Sequence, residues 1–188
     1  MHRFYTSAIA KHGISAQGVN WASKCNQELR FEALCKLLPK QLQDSTLVDA
    51  GCGFGDFYLY LEKCNNLPKS YIGIDTLYEM VQIASENTAS EILHKDICKE
   101  DLPYAEFYLC SGALNVLTPF EVQLFVSNCY KHSQKGFIFN ALEGKNESET
   151  YTYLTKEQID KLAKALSVGE VVFLDGYLED DITVGFFR

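Results

Sequence analysis

The stretch "TLVDAGCGFGDFYLYL", Thr46 to Leu61, sets three glycines within five positions directly after a short apolar run that closes on a carboxylate. Glycine has no side chain, so it lets the backbone turn tightly and lets a ligand approach the main chain. At the carboxyl end of a first parallel strand such a turn is a ligand site, and the rest of the chain must then supply a parallel sheet.

It does so in rhythm. After "TLVDA" and a helix from about Asp56 come "SYIGID" and "TLYEMVQIASEN", then "EILHKDI", "FYLCSGALNVL", "TPFEVQLFVSNCYKHS" and "GFIFNAL", strand-like runs alternating with helical ones. That alternation predicts an α/β, Rossmann-like doubly wound sheet of about seven strands, mostly parallel. The tail "GEVVFLDGYLEDDITVGFFR" carries two apolar runs with no helix between them, so the last strand must pair antiparallel. Upstream, Leu29, Leu34, Leu37 and Leu38 recur at helical spacing until Pro39 ends the helix. Helix starts are marked by three capping boxes, Thr76 with Glu79, Thr118 with Glu121 and Thr155 with Gln158. With 188 residues the chain suits one domain: residues 1–45 as a leader and helix covering the site, 46–188 as the body of the same domain. The polar "EGKNESETY" reads as a loop.

Charge narrows the ligand. A dinucleotide fingerprint would need its third glycine where Asp56 stands, and Asp49 adds a second carboxylate nearby. Two carboxylates repel a phosphate and attract a cation. A net charge of -8 also disfavours nucleic acid, whose binding draws on clustered Lys and Arg, and leaves a small molecule as the expected partner. Seven scattered cysteines include no C-x-x-C pair, so no metal is expected, and they read as reduced thiols, mostly in the core. No run approaches the roughly 20 apolar residues that span a bilayer and no signal region opens the chain, so a cytoplasmic protein without a membrane segment is expected.

"VDAGCGFGDF" resembles the first motif of class I S-adenosylmethionine-dependent methyltransferases, and the likeness continues through "YIGID", "LHKDI" and "CSGALNVL" from Thr46 to Arg188. The leader "HGISAQGVNWASKCNQELRFEALCKL" is similar to that of small bacterial members of undefined substrate. The resemblance implies S-adenosyl-L-methionine as cofactor. It implies Asp75 on the ribose hydroxyls, Asp96 and Ile97 at the adenine end, and Gly51, Cys52, Gly53 and Gly55 beneath the methionine portion. It further implies Asp49 near the ammonium, Gln27 and Arg30 on the methionine carboxylate, and Thr76 and Ser111 along the same wall.

Methyl transfer from a sulfonium is a displacement that positioning and water exclusion accelerate, with no obligatory base, so the methyl acceptor leaves no motif. Asn115, Trp21, Asn140 and His12 are candidate pocket residues, against the blander readings of Trp21 and Tyr5 as packing aromatics, His12 as a surface residue and Asn140 as a strand-end cap. The absence of an N-P-P-Y type sequence at "CSGALN" argues against DNA bases as acceptors. Three rivals remain open: a non-catalytic S-adenosylmethionine-binding regulatory module, an NAD-dependent oxidoreductase on a similar sheet, and methylation of a protein or structured RNA.

Overall fold

A computed structural model describes residues 24–188; Tyr5, His12 and Trp21 lie outside the described residues. In chain order the elements are α1 (Lys24–Leu37), β1 (Thr46–Ala50), α2 (Asp56–Lys63), β2 (Ser70–Asp75), α3 (Tyr78–Asn87), β3 (Glu91–His94) and β4 (Ala105–Cys110). A 3-10 turn (Ala113–Val116) follows, then α4 (Pro119–His132), β5 (Ser133–Glu143), β6 (Tyr153–Leu154), α5 (Lys156–Ala165), β7 (Glu170–Asp175) and β8 (Asp181–Phe187). The sheet runs in the order β3-β2-β1-β4-β5-β8-β7. β1 pairs parallel with both β2 and β4, and β8 pairs antiparallel with both β5 and β7. The expected doubly wound sheet with its antiparallel last strand is borne out. An eighth strand, β6, pairs with β5 over two residues, too few for any periodicity to announce it.

Side chains alternate across the sheet with the period of two that a pleated strand imposes. Tyr108 and Cys110 of β4 and Phe137 and Phe139 of β5 enter one core with Val122, Phe125 and Val126 of α4 and Ile159 of α5. Phe107, Leu109 and Ile138 point the other way, into a second core with Phe31 and Leu34 of α1 and Phe57 and Leu61 of α2. The chain leaves β1 for β2 on one side and returns to β4 on the other, so a crevice opens between the carboxyl ends of β1 and β4. No helix of the described residues is long and apolar enough to cross a membrane.

Two of the three capping boxes form, at Thr118 with Glu121 and Thr155 with Gln158. The third does not. α3 starts on Leu77 with no side-chain cap, and the Leu77 N–H donates to the Asp75 carboxylate at 2.9 Å. The cysteines are free, as expected, but only Cys52, Cys110 and Cys129 are buried; the others sit at or near the surface of helices and loops.

Arg30 departs most from expectation. It is 8% exposed, and its Nε donates to Asp181 Oδ1 at 2.7 Å while Nη2 donates to the other carboxylate oxygen. The fork thus ties α1 to the start of β8, across 151 residues of chain. Removing one partner of a buried ion pair leaves the other charge uncompensated. Arg30→Met should therefore lower stability by about 3–5 kcal/mol, read as a reduced urea midpoint, and adding Asp181→Leu should restore much of the loss.

Candidate functional site

The crevice is built from backbone geometry first. Gly51, Gly53 and Gly55 all adopt positive φ, at 80°, 55° and 83°, so the turn after β1 is a left-handed path that side chains resist. The turn is stitched to the end of the neighbouring strand: Gly51 and Cys52 N–H both donate to the Ile74 carbonyl, at 2.8 and 3.0 Å, and Gly53 N–H donates to Asp75 Oδ2 at 3.0 Å. A Cβ on Gly51 would lie 2.6 Å from that of Ala113, so the missing side chain is what lets the turn after β4 close against the loop.

Most residues singled out from the sequence converge here. Gln27, Asp49, Gly51, Cys52, Gly53, Asp75, Thr76, Asp96, Ile97, Ser111 and Asn115 all line the crevice, with Asp56 among them. Three do not. Gly55 faces α3, where an added Cβ would meet Thr88 Cγ2 at 2.6 Å, so it is a packing and turn glycine. Arg30 lies outside the lining and is held by Asp181. Asn140 is completely buried behind the wall: its Oδ1 accepts from Ser111 Oγ at 3.0 Å and its Nδ2 donates to Thr183 Oγ1 at 2.7 Å. It positions Ser111 and does not reach the crevice.

Sequence reasoning missed the apolar walls. Leu77 and Cys98 each stand two residues past an acid, at Asp75 and Asp96, and that offset could have found them. Tyr151 comes from the polar loop and had no local signal. It is brought over by Thr152, whose N–H donates to the Asn115 carbonyl at 2.8 Å and whose Oγ1 donates to that of Leu117 at 2.5 Å.

The electrostatics are one-sided. Asp49, Asp56, Asp75 and Asp96 line the crevice, and among the described residues no Lys, Arg or His does. Asp96 has its own cation, Lys99 Nζ at 2.7 Å on the surface side. Among the described residues the hydrogen bonds to the other three come from neutral groups: Tyr71 Oη donates to Asp49 at 2.6 Å, Gln27 Nε2 to Asp56 at 3.0 Å, and backbone N–H groups to Asp75, which also feels His94 electrostatically. Burial, aided by the charges of Asp75 and Asp56 and opposed by the Tyr71 hydroxyl, pushes the Asp49 carboxyl up to about 7. Burial likewise raises Asp75, against its backbone donors.

A parallel sheet with an antiparallel last strand, a glycine turn after its first strand and an acid closing the second define the class I methyltransferase fold. The sequence itself agrees, because residues 47–136 match the family described as methyltransferase domain, and the resemblance to class I S-adenosylmethionine-dependent methyltransferases is borne out. No curated protein matches the chain in sequence. Among solved structures, the magnesium protoporphyrin IX methyltransferase of Synechocystis PCC 6803 with bound SAH is 13% identical, over 87% of this chain and 83% of its own, at a TM-score of 0.70. A SAM-dependent methyltransferase from Archaeoglobus fulgidus is also 13% identical, over 86% of this chain and 94% of its own, at 0.66. Human N-acetylserotonin methyltransferase in complex with SAM is 11% identical over 99% of this chain and 55% of its own, at 0.68. At such identities the likeness is one of fold.

Gly51→Ala combines a strained φ with the Ala113 contact. It should cost about 1–3 kcal/mol of stability, measured by chemical denaturation. Adding Ala113→Gly should relieve the contact and leave only the strain.

Proposed function

We propose that the crevice binds S-adenosylmethionine and that the chain transfers its methyl group to a small acceptor carrying no phosphate. The observation that carries this reading is the row of carboxylates beside a glycine turn with no basic residue among the described lining. A diphosphate would meet Asp49, Asp56 and Asp75 there, whereas a nucleoside with a sulfonium and an ammonium meets opposite charge. The residues present fit such a group: Gly51 and Gly53 face the crevice with main chain only, and each Asp75 oxygen has lone pairs left after its backbone bonds.

In this reading Asp75 accepts from the ribose hydroxyls, and Asp96 and Ile97, with Leu77, bound the adenine end. Gly51, Cys52 and Gly53 underlie the methionine portion, with Thr76 and Ser111 along the wall. Asp49 faces the ammonium, and Gln27, fixed by Asp56, borders the carboxylate in place of Arg30. When bound, the cofactor supplies an electrophilic methyl group. The protein's own share is orientation and the exclusion of water. On the acceptor side stand Asn115 and Tyr151. The Asn115 Oδ1 is held by the Leu142 N–H at 3.2 Å, which turns the amide so that its nitrogen is the end left for a substrate. In this reading residues 24–45 belong to the same domain as 46–188, which is supported by α1 sharing a core with the sheet and carrying Gln27 to the crevice. An acceptor in nucleic acid is disfavoured by the net charge of -8.

S-adenosylhomocysteine should raise the melting temperature of the 188-residue chain, and NADH should not. Asp75→Asn should weaken S-adenosylhomocysteine binding about 10- to 100-fold, as expected for hydrogen bonds to a lost charge worth about 1.5–3 kcal/mol. Stabilisation by NADH alone would overturn the assignment.

A further inference from the structure

Asp49 sits where a charge is least comfortable and is nevertheless aimed at the crevice. It is 2% exposed, at the end of β1. The groups around it come from every neighbouring element. β2 contributes the Tyr71 hydroxyl, bonded at 2.6 Å, and the Asp75 carboxylate; β4 contributes the Cys110 thiol; the glycine loop contributes the Cys52 thiol; α2 contributes Asp56. None of these is a cation. Arg30, the buried arginine among the described residues, is turned onto Asp181.

We propose, resting on the cofactor reading above, that Asp49 is the proton-exchanging group of the crevice: buried without a cation, it holds a proton at mildly acidic pH until a cationic ligand arrives, then ionises against the ligand's ammonium and gives that proton to solvent. A buried acid flanked by like charges and one hydroxyl holds its proton, and an arriving ammonium supplies the missing counter-charge. The pKa of about 7 in the ligand-free protein agrees with that geometry. The sign follows directly. The free form binds more protons than the bound form between the lowered and the raised value, so affinity rises with pH up to about 7 and then levels.

The test is titration calorimetry of the full chain with S-adenosylhomocysteine in buffers of different ionisation enthalpy. Proton release should approach one at pH 6 and fall toward zero by about pH 8.5, with Kd dropping about tenfold per unit between about pH 5.5 and 6.5. Asp49→Asn should abolish both effects. Tyr71→Phe, which removes the one bond favouring the carboxylate, should move the pH of half-release upward. 5'-Methylthioadenosine, which lacks the ammonium, should bind without releasing a proton. Binding of S-adenosylhomocysteine with no proton exchange, or with exchange that survives in Asp49→Asn, overturns this proposal and leaves the cofactor reading standing. No binding of S-adenosylhomocysteine at any pH overturns both.

Discussion

The end of β2 holds the site together. Its Ile74 carbonyl accepts from two residues of the glycine turn, and the Asp75 carboxylate spans from Gly53 of that turn to Leu77 at the start of α3. Two loops leading into two different helices are thereby referenced to one strand terminus. Backbone N–H groups at a parallel strand's end need acceptors, and the half-buried Asp75 carboxylate provides them. The negative potential of the crevice is thus a by-product of how its loops are fastened, and a ligand that matches it meets walls already in place.

Alternation does the rest of the placement. Asp49, Asp75, Ser111, Asn140 and Thr183 share the parity of Leu47, Tyr71, Leu109, Ile138 and Gly185 along their strands, so they lie on the face that carries α1 and α2. On this face β1, β2 and the end of β4 turn polar where they border the crevice, at Asp49, Asp75 and Ser111, while Asn140 and Thr183 form a buried polar layer behind Ser111. On the opposite face Val48, Ile74, Tyr108, Cys110, Phe137, Phe139, Ile182, Val184 and Phe186 form the apolar core that α4 and α5 cover. A one-residue slip in any of these strands would carry its polar end residue into the apolar core, which is why register here is strongly specified.

That pattern explains which parts were legible. Strand runs, helix starts at Thr118 and Thr155, the glycine turn and the acids at strand ends all announce themselves within a few residues of sequence. Thr76 misled because the helix begins one residue later, at Leu77, whose N–H is bound by the strand-end acid Asp75. Arg30, Asn140 and Tyr151 were misread or missed for another reason. Their partners, Asp181, Thr183 and the anchor of Thr152 on Asn115, stand in distant parts of the chain, and no local spacing encodes such a meeting. α1 shows the same limit: its buried face includes Gln27 and Arg30, polar residues whose burial makes sense only beside Asp56 and Asp181.

The contrast between the two buried aspartates on this face separates structure from function. Asp181 has a guanidinium forked onto both oxygens, the arrangement expected when a charge is buried for good. Asp49, equally buried, has one hydroxyl and two like charges within influence. A chain able to place an arginine beneath the same sheet, and to aim it at Asp181, leaves Asp49 without a cation from its described residues. The energetic cost of that omission is tolerated in the free protein by keeping the proton, and it is recovered when a cation fills the crevice. An uncompensated buried acid facing a glycine-lined opening is therefore a record of the ligand's charge, written into the protein before the ligand binds.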